Sequence, residues 1–91
     1  MTFADNLYVG ESIKHKSERI LSRMEQNKFL MEVFCITKAS NPNNLYDIYN
    51  YLEFKQPYYK DKPIHILGIA GSKQEAMELV ASMLITEGVV S

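Results

Sequence analysis

Two short segments of this chain are apolar on both sides when read as extended backbone, and they constrain the fold more than any other feature. In residues 29–37, FLMEVFCIT, alternation puts Phe29, Met31, Val33 and Cys35 on one face and Leu30, Glu32, Phe34 and Ile36 on the other. Residues 64–70, IHILGIA, have the same character. A strand of this kind lies in a sheet covered from above and below, so helices or a second chain must supply the cover. The chain has 91 residues, which makes a single small domain over residues 1–91 with a modest core.

Helical periodicity marks where the cover comes from. Between residues 12 and 27, Ile13, Ile20, Leu21 and Met24 fall on one stripe, which predicts a helix that Gly10 and Ser12 introduce. The preceding Leu7, Tyr8 and Val9 fit either a strand or the approach to that helix. Ser72 and Glu75 have capping-box spacing and start a last helix whose apolar side holds Ala76, Met77, Leu79, Val80, Met83 and Leu84. Gly88 supplies its left-handed end. Between the helices, KASNPNN at residues 38–44 is turn chemistry that predicts a reversal. LYDIYNYLEF, residues 45–54, carries both helix and strand signals; it is read as a strand over residues 45–49 forming a hairpin with the previous one, then a helical turn capped by Asn50 and Glu53. Pro57 and Pro63 bracket an irregular loop.

The expected fold is therefore α+β: a small sheet of about three strands, a hairpin plus one, with an N-terminal and a C-terminal helix packed on it. If both helices lie on one face, the other exposes an apolar patch that a homodimer would bury; one helix on each face removes that need.

Residues 68–75, GIAGSKQE, hold the strongest hint of a binding loop. A strand running into a helix at Ser72 aims backbone N–H groups at the turn, so Gly71, Ser72 and Lys73 form a candidate anion site. Neither the Walker A spacing nor the dinucleotide fingerprint is present, and Glu75 both competes for the same N–H groups and repels an anion. A turn with a cap is the favoured reading.

The blocks NLYVGESIKHK, NPNNLYDI, KQPYY and GIAGSKQEAMELV, in that order, resemble a group of small proteins of clostridia and related Firmicutes that has no established activity. In that group the turn reads Gly-x-Ala-x-Gly followed by Glu-Ala-Leu-Glu-Leu. Here Gly68, Ala70, Ser72, Glu75, Ala76, Glu78 and Leu79 stand nearby, with the second glycine displaced to Gly71. The resemblance implies organisation and no mechanism.

Two further surfaces are candidates. Lys14, Lys16, Arg19 and Arg23 form a basic face on the first helix; residues 11–28 carry five positive and three negative side chains, residues 72–91 one and three. Those opposed signs suit contact between helices or chains at least as well as a phosphate or nucleic-acid footprint. Tyr46, Tyr49, Tyr51, Tyr58 and Tyr59 crowd the middle with Lys60, a pattern that fits half-buried packing or a recognition surface for protein.

The remaining composition mainly excludes. A formal net charge of -1 disfavours nucleic acid as partner. No apolar run approaches the roughly 20 residues of a membrane span, and no signal-peptide pattern opens the chain, so a cytoplasmic location is expected. The lone Cys35 is read as a buried structural thiol, His65 as a hydrogen-bonded strand residue, and His15 lies far from it. No catalytic constellation or metal-ligand spacing stands out, and no cofactor is expected. The sequence thus favours a non-catalytic interaction or accessory module acting as a homo-oligomer, with a small nucleic-acid or nucleotide-phosphate binder as the alternative.

Overall fold

The strand expected at residues 64–70 is the spine of the domain. In the computed structural model, which describes residues 1–41 and 43–88, it forms β4 (His65–Ala70), with Ile66, Gly68, Ile69 and Ala70 buried. The other elements are β1 (Thr2–Val9), a 3-10 segment (Glu11–Lys16) leading into α1 (Ser17–Glu25), β2 (Phe34–Lys38), β3 (Tyr46–Asn50), two 3-10 turns (Tyr51–Lys55 and Pro57–Tyr59) and α2 (Lys73–Thr86). The sheet has four strands in the order β1-β4-β2-β3. β2 pairs antiparallel with both β3 and β4, whereas β1 runs parallel to β4.

The class is α+β as expected, with one strand more. β1 escaped the pattern because it is bulged: Phe3 pairs with Ile66 and Tyr8 with Gly68, so five steps along β1 match two along β4. The extra residues include the exposed Asp5 and Asn6, which break the alternation that marks a strand. The hairpin of β2 and β3 forms as read from the sequence, and the Asn50–Glu53 box caps the following turn: the Asn50 side chain accepts from the Leu52 N–H at 3.0 Å, and Glu53 from the Asn50 N–H at 2.8 Å. Pro42 of the predicted reversal lies outside the described residues.

Residues 29–33 are not strand. α1 ends in a Schellman motif at Asn27, which takes φ 58° while its N–H donates to Met24 and that of Lys28 to Arg23. The chain then crosses to the sheet with Phe29 and Met31 exposed and Glu32 at φ 57°. Their β propensity is overridden by the distance the chain must cover from the helix end to the sheet.

Each face of the sheet receives one helix. Neighbouring residues of β2 point oppositely, and they head two separate cores. Cys35 joins Ile13, Ile20, Met24, Tyr51 and Ile66 on the α1 side, whereas Ile36 joins Ala70, Ala76 and Met83 on the α2 side. The sheet is covered on both sides by the chain itself, so the condition under which an uncovered face would demand a dimer is not met.

Cys35 has no exposed surface, and burial pushes its thiol up to about 12. Such a thiol carries almost no thiolate near neutrality. Labelling of the native protein by a thiol reagent is expected to run at least about a hundredfold slower than in denaturant; equal rates would contradict a closed core on the α1 side.

Candidate functional site

β1 and β4 lie side by side, point the same way and end together. After β1 the chain turns through Gly10 and Ser12 to α1 on one face; after β4 it turns through Gly71 and Ser72 to α2 on the other. Strands whose following helices depart to opposite faces leave a crevice beyond their carboxyl ends. One carboxylate ties its two banks.

That carboxylate is Glu75, in the first turn of α2. Ser72 caps the helix as expected, its Oγ accepting from the Glu75 N–H at 3.0 Å. The Glu75 side chain completes no reciprocal box with Ser72. It accepts from the Gly71 N–H at 2.7 Å, the Ser12 N–H at 3.0 Å and the Ser12 hydroxyl at 2.6 Å, the last two across the crevice. The Ser12 hydroxyl, then the Gly71 and Ser12 N–H groups, hold its carboxyl below the usual range against the opposing effect of burial. Close approach explains both glycines: a Cβ at Gly10 would overlap the Glu75 carboxylate, and one at Gly71 would overlap Ser12 Oγ. The anion at the turn of Gly71, Ser72 and Lys73 is thus the chain's own.

Beside this anchor the crevice opens into a groove of about 580 Å3 between α1 and residues 30–33. Lys16, Arg19 and Arg23 line it, and so does Gly71, so two features read separately from the sequence share one depression. Lys14 does not take part. It points away and pairs with Glu11 at 3.5 Å, the one ion pair among the described residues.

The tyrosines do not form one surface. Tyr51 is core, 1% exposed, its hydroxyl donating to the Lys28 carbonyl at 3.0 Å. Tyr46 faces the α2 side and donates to the Glu87 carboxylate; burial first, and then Glu87, push its hydroxyl up to about 12. On the α1 side Tyr49, Phe54 and Tyr59 pack mutually, with ring centroids 5.1 to 6.2 Å apart, and Tyr58 meets Tyr59 edge-on. Their rings occupy one another's faces, as in a small satellite core. Among the described residues, the lysines over tyrosine rings are Lys55 and Lys62, whereas Lys60 stands exposed.

His65 is exposed at the start of β4 and hydrogen-bonded through Nδ1 to Thr2 Oγ1 at 2.7 Å; His15 is exposed far away on the 3-10 segment. Among the described residues no three His, Cys, Asp or Glu side chains are grouped to hold a metal ion, and no helix is long and apolar enough to cross a membrane. Sequence reasoning missed the Ser12–Glu75 contact, whose partners are 63 residues apart; the two glycine–serine pairs, Gly10 with Ser12 and Gly71 with Ser72, were the only local sign.

Set against known proteins, the chain finds no match: no protein-family model, curated protein or solved structure matches it.

A carboxyl held low in the fold stabilises it above the ordinary carboxyl pKa, and that contribution is lost as pH falls through the folded value. Glu75→Gln is expected to cost about 2 kcal/mol at pH 7, as hydrogen bonds to a charged acceptor do. The gap from wild type should shrink as the pH drops from about 5 to 3. A gap that stays constant across that range would contradict a charged anchor.

Proposed function

We propose that this chain is a non-catalytic interaction module that works as a homodimer, paired through the outer side of α2. The observation that carries this reading is an apolar stripe left on that helix. Met77 is 52% and Ile85 61% exposed, Ala81 between them is exposed too, and the spacing of four residues aligns all three.

The stripe is symmetric about Ala81, the pattern a two-fold pairing requires. In an antiparallel pair crossing at the small Ala81, Met77 packs against the partner's Ile85. Lys73 then comes within about 3 Å, along the axis, of the level of the partner's Glu87, on the same flank. Each end thus gains one opposite-charge pair, set against the net negative charge of residues 72–91. Burying the exposed halves of Met77 and Ile85, with Ala81 between them, gives a gross gain of about 2–3 kcal/mol per chain. Association costs of about 4–15 kcal/mol offset most or all of such a gain, so pairing depends on chain concentration.

The non-catalytic part of the reading is supported by where the reactive side chains lie. The single thiol is buried as a neutral group, and the two histidines are exposed and far apart.

Light scattering on a sizing column tests the pairing. At tens of micromolar the mass should approach twice 10.5 kDa, and Ile85→Glu should return it to 10.5 kDa with unchanged circular dichroism. A wild-type mass that stays at 10.5 kDa would overturn the reading.

A further inference from the structure

We propose that the crevice beyond the carboxyl ends of β1 and β4 binds a small ligand bearing a phosphate chain, with Lys16, Arg19 and Arg23 holding the phosphates. Three independent features converge on this place.

The first is topology. Ligands of open sheets sit where adjacent parallel strands send their helices to opposite faces, and β1 and β4 make the one parallel pair of this sheet. The groove, about 580 Å3, lies on the α1 side of that point and reaches it through Ser12 and Gly71, and its volume falls within the range of roughly 300–1,000 Å3 typical of small-molecule sites.

The second is charge. Lys16, Arg19 and Arg23 recur at i, i+3 and i+7, on one side of the 3-10 segment and α1, and among the described residues none has an acidic group within ion-pair distance. Glu32 is the single acid of the lining, which carries a net +2, and the Glu75 carboxylate behind Ser12 and Gly71 lowers this to +1, still positive in a chain of net charge -1. Three like charges gathered around fewer counter-charges repel, and an anionic ligand relieves that repulsion. Two arginine forks and an ammonium match phosphate oxygens.

The third is the far wall. Met31 is 69% exposed there beside the half-buried Leu30, and Glu32 takes φ 57°, a left-handed backbone of the strained kind that gathers at binding sites. An apolar wall facing three cations suits a molecule with a charged chain and an apolar or aromatic body.

Extent favours a small ligand over a polymer. The three cations span about 10 Å of helix. Glu11, Glu18 and Glu25 interrupt the positive surface around them, so no basic track continues along the protein. The turn at Gly71 cannot itself take a phosphate because Glu75 holds its N–H, which leaves the α1 bank as the anchoring side.

Calorimetric titration tests the proposal with three probes: inorganic tripolyphosphate, adenosine triphosphate and a ten-residue oligothymidylate, at low salt. Saturable binding of one tripolyphosphate or nucleotide per chain is expected, with Kd below about 1 mM. Arg19→Gln with Arg23→Gln should weaken it at least about tenfold, the loss of a charge-assisted contact, whereas Lys14→Gln should leave it unchanged. Lys16→Gln alone should weaken it severalfold, which keeps the test open if the double variant folds poorly by circular dichroism. Tighter binding of the nucleotide than of tripolyphosphate assigns the apolar wall to its base; equal binding assigns the site to the phosphate chain alone. Absence of saturable binding, indifference to both sets of variants, or tighter binding of the oligonucleotide than of either small probe would overturn the proposal. Because the groove is remote from the α2 stripe, Ile85→Glu should bind as wild type does, which separates this test from that of the dimer.

Discussion

The fold depends on one carboxylate placed between two turns. Glu75 gathers three donors, the N–H of Gly71 and the N–H and hydroxyl of Ser12, and so fastens the start of the α1 segment to the start of α2. The two helices lie on opposite faces and have separate cores, so packing relates one to the other only through the sheet, and this contact links their starts directly. Hydrogen bonds to a charged acceptor are stronger than those between neutral groups, and here they act where the backbone leaves β1 and β4. Gly10 and Gly71 are consequences of this contact, since a side chain at either position would collide with it.

With the turns pinned, the two-sided sheet follows. β1 can take the edge beside β4 despite its bulge because both ends of its pairing are held: Gly10 donates to the Ile69 carbonyl at 2.8 Å and Thr2 to that of Ile64 at 2.9 Å. β4 and β2 then bury side chains both ways, Ile69 and Cys35 toward α1, Ala70 and Ile36 toward α2. The groove opens beside these turns on the α1 side, between the α1 segment and residues 30–33, with Ser12 and Gly71 at its end. The carboxylate that closes the turn to outside anions stands beside Lys16, Arg19 and Arg23 without forming an ion pair with them.

Local signals in the sequence read well. The caps at Ser72, Gly88 and Asn50, the β2–β3 hairpin and the two-faced β4 each depend on residues close together in the chain, and each stands as read. What failed depends on distant partners. β1 needs β4 to stabilise its bulge, residues 29–33 look like strand by composition but form none, although the Val33 carbonyl accepts from the Tyr51 N–H, and the Glu75 side chain left its expected box for Ser12. Of the site, the basic stripe was legible from its spacing, apart from Lys14; its union with Gly71 was not. The crowd of tyrosines misled because composition carries no direction. Once residues 46–50 form a strand, Tyr46 and Tyr49 are an odd number of steps apart and go to opposite faces, and Tyr51 turns into the core.

The claim that a single contact joins the two halves is most directly tested by a double-mutant cycle on Ser12→Ala and Glu75→Gln, read by denaturant unfolding at pH 7. If the contact is the joint, the two substitutions are strongly non-additive, with a coupling energy of about 1 kcal/mol or more. Additivity within about 0.3 kcal/mol would mean that Ser12 and Glu75 stabilise the fold independently, and would contradict the account.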